Sequence, residues 1–186
     1  IIAEHCCSFI PNDLSLCKEK PILVITGPNA SGKSVLMKQI GLHVLTSQAF
    51  GFAAVGPESK LPMIKSIFTR IRAVESAGRQ KSAFALEIEQ LKAALEGCDS
   101  NSILLIDEFG KGTLPEDGIA LLTATIEYIA QLEHPPWVLV VTHFTEIVGL
   151  LKDAVQEKVN WLQMNIYENE QDNPVFLFKA VEGVCQ

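Results

Sequence analysis

Ile22-Leu23-Val24-Ile25-Thr26-Gly27-Pro28-Asn29-Ala30-Ser31-Gly32-Lys33-Ser34 is the stretch that decides how this chain folds. Its first five residues are apolar or β-branched without a break, the pattern of a parallel strand buried on both faces, and Gly27-Pro28 stops it. From Gly27 the run matches G-x-x-x-x-G-K-[ST], and Leu36, Ile40 and Val44 follow four apart, as a helix over Ser34 to Ser47 requires. Between a buried strand and a helix such a turn can aim successive backbone amides and the helix N-terminus at one anion, because Gly27 and Gly32 permit backbone conformations that a side chain obstructs. Lys33 brings a cation toward the terminal phosphates, and the Ser34 hydroxyl is the expected protein ligand to Mg²⁺. Gly27, Pro28, Asn29, Ala30, Ser31, Gly32, Lys33 and Ser34 are therefore expected to bind the phosphates of ATP.

Working outward, two more runs read as buried strands: Ile103 to Ile106 and Val138 to Thr142. Between them Ile119, Leu122, Ile126 and Ile129 fall at helical spacing over Asp117 to Leu132, so this segment can cross back over a parallel sheet. Ser66 to Val74 reads as a further strand, and Phe84, Ile88, Leu91 and Leu95 as the buried stripe of a second long helix. Asn160 to Tyr167 and Val175 to Lys179 alternate as two strands of a hairpin around Asn169 to Asn173. The expected fold is a single α/β domain over residues 1–186, with a mostly parallel sheet, flanking helices and antiparallel β additions.

The carboxyl ends of those strands carry the remaining chemistry, where ligands bind open parallel sheets. Asp107-Glu108 closes one strand. Alternation is expected to send Asp107 toward Mg²⁺ and Glu108 toward the space beyond the γ-phosphate, where it can orient or deprotonate water. His143 closes the next strand and is a candidate contact to the γ-phosphate. An adjacent Asp-Glu pair with a following His matches ABC-type ATPases, which a second subunit completes. Ser82, at the start of a predicted helix, can offer its hydroxyl and the helix dipole to a phosphate across such an interface. An ordinary N-cap is the alternative reading of Ser82.

Composition narrows the partners. The chain has 186 residues, 48% apolar and 20% charged, a globular balance with no low-complexity stretch. A net charge of -7 opposes broad non-specific binding to phosphate backbones, so contact with nucleic acid needs a local basic patch or another segment. Five cysteines without a C-x-x-C pair indicate neither a zinc site nor a disulfide framework. The most apolar stretch, Val35 to Val55, is interrupted by Lys38, Gln39, His43 and Gln48, so no membrane span is expected. His5, His43 and His134 stand in no comparable context and read as structural or solvated.

Taken in order, Phe9-Ile10-Pro11-Asn12-Asp13, Ile25 to Asn29 with Gly32-Lys33-Ser34, Ile67-Phe68-Thr69-Arg70-Ile71, Ser82 with Phe84, Asp107 to Thr113 and Thr142-His143-Phe144 resemble the ATPase domain of MutS proteins over nearly the whole chain. Phe109-Gly110-Lys111-Gly112-Thr113 and Glu75-Ser76 are similar to the meiotic branch, MutS homologue five, where mismatch-repair members usually have Leu and Arg at positions 109 and 111. The resemblance implies a P-loop NTPase of ABC-like type and a Mg²⁺-dependent ATPase whose composite sites drive a DNA clamp. Phe9 and Ile10 would line the adenine pocket; Asn29, Lys33 and Ser34 would hold phosphates and metal; Asp107 would serve the Mg²⁺, Glu108 the water and His143 the γ-phosphate. Ser82 would act on the partner's nucleotide, and Gly110 to Thr113 with Asp117 would contact the neighbour.

For the meiotic branch the implied task is stabilising Holliday junctions for crossover in the nucleus, on chromosomes, as a heterodimer with MutS homologue four. A mismatch-repair subunit and a nucleotide-binding switch with little hydrolysis are the alternatives. Two departures stand out: Ala30-Ser31 replace the usual Met-Gly, and Ala83 replaces a Thr beside Ser82. The chain is expected to stop before a helix-turn-helix and to lack clamp, lever and connector domains, with double-stranded or branched DNA bound elsewhere.

Overall fold

The computed structural model describes residues 9–70, 83–110, 112–168 and 174–185. In chain order it runs β1 (Ile22–Thr26), α1 (Lys33–Phe50), β2 (Ser66–Arg70), α2 (Ala83–Gly97), β3 (Ser102–Asp107), α3 (Pro115–Gln131), β4 (Trp137–Thr142), α4 (Ile147–Leu150), α5 (Asp153–Gln156), β5 (Val159–Glu168) and β6 (Pro174–Glu182). Among the described residues the strands form one sheet in the order β2-β3-β4-β1-β5-β6. The first five run parallel and β6 pairs antiparallel with β5. This is the expected mixed α/β fold.

The apolar runs become central strands because both faces are covered. Ile22, Val24, Leu104, Ile106, Val138 and Val140 point to one face, where Leu91 and Ala94 of α2, Leu122, Ile126 and Ile129 of α3, and Ile147 and Val155 close over them. Leu23, Ile25, Ile103, Leu105, Leu139 and Val141 point to the other and meet Leu36, Met37 and Val44 of α1. A side chain with water on neither side must be apolar at every position, so the sequence loses its alternation there. Helix α1 lies close enough that a Cβ on Gly41 would come within 2.8 Å of Leu105 Cδ1.

The boundaries have local causes. Helix α1 extends three residues past the expected Ser47 and stops at Gly51, whose φ of 72° lets its amide cap the Ser47 carbonyl at 3.0 Å. Helix α3 starts with Pro115 and carries Glu116 and Asp117 in its first turn, where a fixed φ and negative charge suit the N-terminus. At its other end the Lys158 ammonium donates to the Ala130 carbonyl at 2.6 Å. Before β3, the Ser102 hydroxyl and then the Asn101 amide hold the Asp99 carboxyl below its ordinary range, which fixes the turn into the strand.

One expectation for the core is corrected. Ile88 is exposed, and Glu87 beside it is buried together with Leu91 and Ala94. Both positions border the helical stripe, and a specific hydrogen bond to Glu87 decides which one turns inward. The strand expected over Ser66 to Val74 is described as far as Arg70; its remainder, Ser82, Lys111 and the hairpin turn at 169–173 lie outside the described residues.

The segment before β1 docks by side chains. Asn12 donates from Nδ2 to the Phe178 carbonyl at 3.0 Å and accepts the Ala180 amide on Oδ1 at 2.7 Å, so one amide group imitates a strand neighbour for β6. Lys179 donates to the Pro11 carbonyl and Asn160 to that of Ser15. At the other end the Cys185 amide donates to Thr26 Oγ1, the last residue of β1, at 3.0 Å. No described helix is long and apolar enough to cross a membrane.

Replacing Ile126, fully buried under the sheet, by Ala should cost about 2–5 kcal/mol in chemical unfolding, because the neighbouring strands cannot collapse into the cavity. Leu42→Ala, on the exposed side of α1, should stay within about 0.5 kcal/mol of the parent.

Candidate nucleotide site

The sheet order puts the ends of β1, β3 and β4 side by side. Asp107 is in register with Val141, and Thr142 with Thr26, so the residues following each strand share one edge. The loop after β1 turns through left-handed backbone at Gly27 (φ 146°), Ala30 (φ 66°) and Gly32 (φ 96°). Gly32 is the N-cap of α1 and has no side-chain cap bond, nor is there an acidic residue in the first turn. The first turn of the helix thus has neither a side-chain cap nor a carboxylate beside its amides, an arrangement suited to an anion.

The loop is held from inside. Lys33, 4% exposed, donates from Nζ to the carbonyls of Gly27 and Pro28, each at 2.7 Å. Ser31, also buried, turns its hydroxyl onto the Pro28 carbonyl at 2.8 Å. The two glycines also leave room for neighbours. A Cβ on Gly32 would stand 3.1 Å from the Phe178 ring, and one on Gly27 3.2 Å from Met164 Cβ. Ala30 takes its positive φ with a methyl group at some cost in strain.

Ser34 and Asp107 meet across this loop, the hydroxyl donating to Oδ1 at 2.8 Å over a separation of 73 residues. Octahedral Mg²⁺ with ligands at roughly 2.0–2.1 Å places neighbouring ligand oxygens about 2.9 Å apart, so this pair has the spacing of two adjacent ligands. The donor set fits a cation that keeps several waters and takes further oxygens from phosphate. Among the described residues no group of three His, Cys, Asp or Glu forms a self-sufficient metal cage.

A cleft of 440 Å³ opens beside the loop. Of the residues expected in the site it is lined by Phe9, Ile10, Ala30, Gly32, Lys33, Ser34 and Glu108. Asn12, Gln39, Met164 and Phe178 line it as well and were not anticipated. Phe178 and Met164 come from the β5–β6 pair, 130 or more positions beyond the loop, so no local pattern announces them. A bulge between Met164 and Ile166, with φ 53° at Phe178, bends the pair where it overhangs the loop. Asn12 stood inside the Phe9 to Asp13 motif and could have been noticed there.

Glu108 reaches the cleft by a different route from the one expected. It does not continue the strand; its φ is 47°, and its amide still donates to the Val141 carbonyl at 2.9 Å. A left-handed turn at the last ladder bond, rather than strand alternation, separates it from Asp107. His143 sits at the same edge but is exposed, its ring 4.3 Å from that of Phe144, and it does not line the cleft. Gly27, Pro28 and Ser31 form the loop wall behind Lys33, and Asn29 is exposed at its tip. Asp117 is exposed and accepts from the Thr113 hydroxyl at 3.3 Å.

The family model for MutS domain V matches residues 23–186. The DNA mismatch repair protein MutS of Halalkalibacterium halodurans is 37% identical over 175 residues, 94% of this chain and 20% of that protein. The DNA mismatch repair protein MSH3 of Candida glabrata is 35% identical over 182 residues, 95% of this chain and 17% of its own length. MutS of Thermosipho melanesiensis is 32% identical over 185 residues, all of this chain and 22% of the relative. The chain thus spans about a fifth of the length of the curated relatives it matches. A loop of the G-x-x-x-x-G-K-[ST] pattern, a paired Ser and Asp and a family match that begins inside β1 and runs to the last residue lead to one assignment: the chain belongs to the MutS family, as its domain V.

Proposed function

We propose that this chain is the ATP-binding and ATP-hydrolysing part of a MutS-type DNA clamp, built on the ABC-like plan in which two subunits share each nucleotide site. The observation that carries this reading is the Ser34–Asp107 contact of 2.8 Å at the mouth of the loop, with Lys33 and Glu108 on the same cleft.

In this reading the adenine lies against Phe9, Ile10 and Phe178, and the triphosphate runs along the loop from residue 27 to the first turn of α1. The amides and the Lys33 ammonium spread the charge of the β- and γ-phosphates, which is where a dissociative phosphoryl transfer needs stabilisation. Ser34 and Asp107 would hold Mg²⁺, which would supply further positive charge beside the phosphates. Glu108 orients a water for in-line attack and accepts its proton at a carboxylate oxygen. His143, at the same sheet edge though outside the cleft lining, is assigned to the γ-phosphate. Ser82 serves the partner's nucleotide, so a chain by itself turns over slowly.

We infer further that the clamp acts in meiotic recombination, on Holliday junctions in the nucleus, with MutS homologue four as its partner. The sequence Phe109-Gly110-Lys111-Gly112-Thr113 supports this role. A second reading, a mismatch-repair subunit, is favoured by the names of the relatives quoted above.

Glu108→Gln in the full-length heterodimer should keep ATP binding while lowering turnover on branched DNA by at least ~10²-fold, the usual share of a general base; unchanged turnover would end the assignment. Lys33→Ala should abolish nucleotide binding in equilibrium titration, and Ser34→Ala should remove the dependence of ATP affinity on Mg²⁺. For the DNA task, the heterodimer should hold a four-way junction at least tenfold more tightly than a single mismatch in a duplex. The opposite preference selects the mismatch-repair reading.

A further inference from the structure

We propose that Glu87 is a positioning residue for Glu108: its buried carboxylate ties helix α2 to the loop that carries the hydrolytic acid. The proposal rests on the reading of Glu108 given above and adds a part that the reading did not contain.

A carboxylate is expensive to bury unless hydrogen bonds replace its water. Glu87 is 9% exposed, in the second turn of α2, and its Oε2 accepts the backbone amide of Gly110 at 3.1 Å. Gly110 is two residues past Glu108, and both have left the extended conformation, with φ of 87° and 47°. The amide of Gly110 thus belongs to the short connection that decides where the Glu108 side chain points. A charged acceptor holds it more firmly than a neutral one.

The same connection is pinned from two other directions. A Cβ at Gly110 would come within 2.6 Å of Gly118 Cα in α3, so the backbones of loop and helix touch. A Cβ at Gly112 would come within 3.3 Å of the Phe84 amide, so the loop runs along the first turn of α2. Glu108 to Gly110, together with Gly112, are therefore caught between two helices, and Glu87 supplies a polar link. Helix α2 follows directly on Ser82, the residue proposed to act on the neighbour's nucleotide. A displacement of that end of α2 by a docked partner passes through Glu87 to Gly110 and so to Glu108. In this way a subunit that completes the neighbouring site also sets its own water-orienting acid.

The test uses the full-length heterodimer on branched DNA and two substitutions of similar volume that differ in whether they can accept a hydrogen bond. Glu87→Met, which fills the space without an acceptor, should lower kcat for ATP at least tenfold while KM and nucleotide Kd stay within twofold. Glu87→Gln, whose amide oxygen can still accept from Gly110, should recover kcat to within threefold of the parent. Hydrogen exchange at the Gly110 amide should be faster in the Met variant and near parental in the Gln variant. Parental kcat and exchange in Glu87→Met, or equal losses in both variants, would overturn the proposal. Glu108→Gln is measured in parallel. If it turns over normally the reading of Glu108 fails; if it is inactive while Glu87→Met is normal, only the role of Glu87 fails.

Discussion

The Lys33 ammonium, buried at the start of α1 and bonded to the carbonyls of Gly27 and Pro28, is the contact on which the rest of the site depends. A charge removed from water must be surrounded by acceptors, and here the acceptors are the backbone of the loop itself. The loop is thereby drawn back over the end of β1, and the amides that follow are left facing the cleft. Ser31 adds a second internal bond to the same Pro28 carbonyl. Everything else that the cleft holds, the Ser34–Asp107 pair, the turn at Glu108 and the overhanging Phe178, is arranged around this folded-back segment.

Much of the fold could be read in the sequence because its centre is covered on both faces. Ile22 to Thr26 was expected as a strand with the bounds that are observed, and β3 and β4 each differ by a residue or two. Burial on both sides leaves an unambiguous apolar run. The helices were found by their spacing, but the facing of α2 was not. Ile88 and Glu87 border one stripe, and the Gly110 amide, 23 residues away, is a partner that draws the acid inward. Hydrophobicity alone favours the opposite choice.

The site divides in the same way. The residues of the loop were legible because a contiguous pattern encodes a local structure, and Asp107 because it ends a buried strand. The direction of Glu108 depends on a positive φ at a residue that is not glycine, which no periodicity announces. Phe178 and Met164 reach the cleft through the antiparallel pairing of β5 and β6, a long-range contact fixed only when the sheet is assembled. Ser82 falls outside the described residues, so its part in the site rests on the sequence.

The anchoring of Asn12 on β6 has a mechanical side. Residues 9–12 and 178–180 are fastened together by Asn12 and Lys179, and the same stretches supply Phe9, Ile10 and Phe178 to the cleft wall. A shift of the backbone ahead of β1 is thus shared at once with β6 and with the rings at the cleft wall, and Asn12 is the rivet through which it travels. The flanking segment and the wall of the cleft become one mechanical unit.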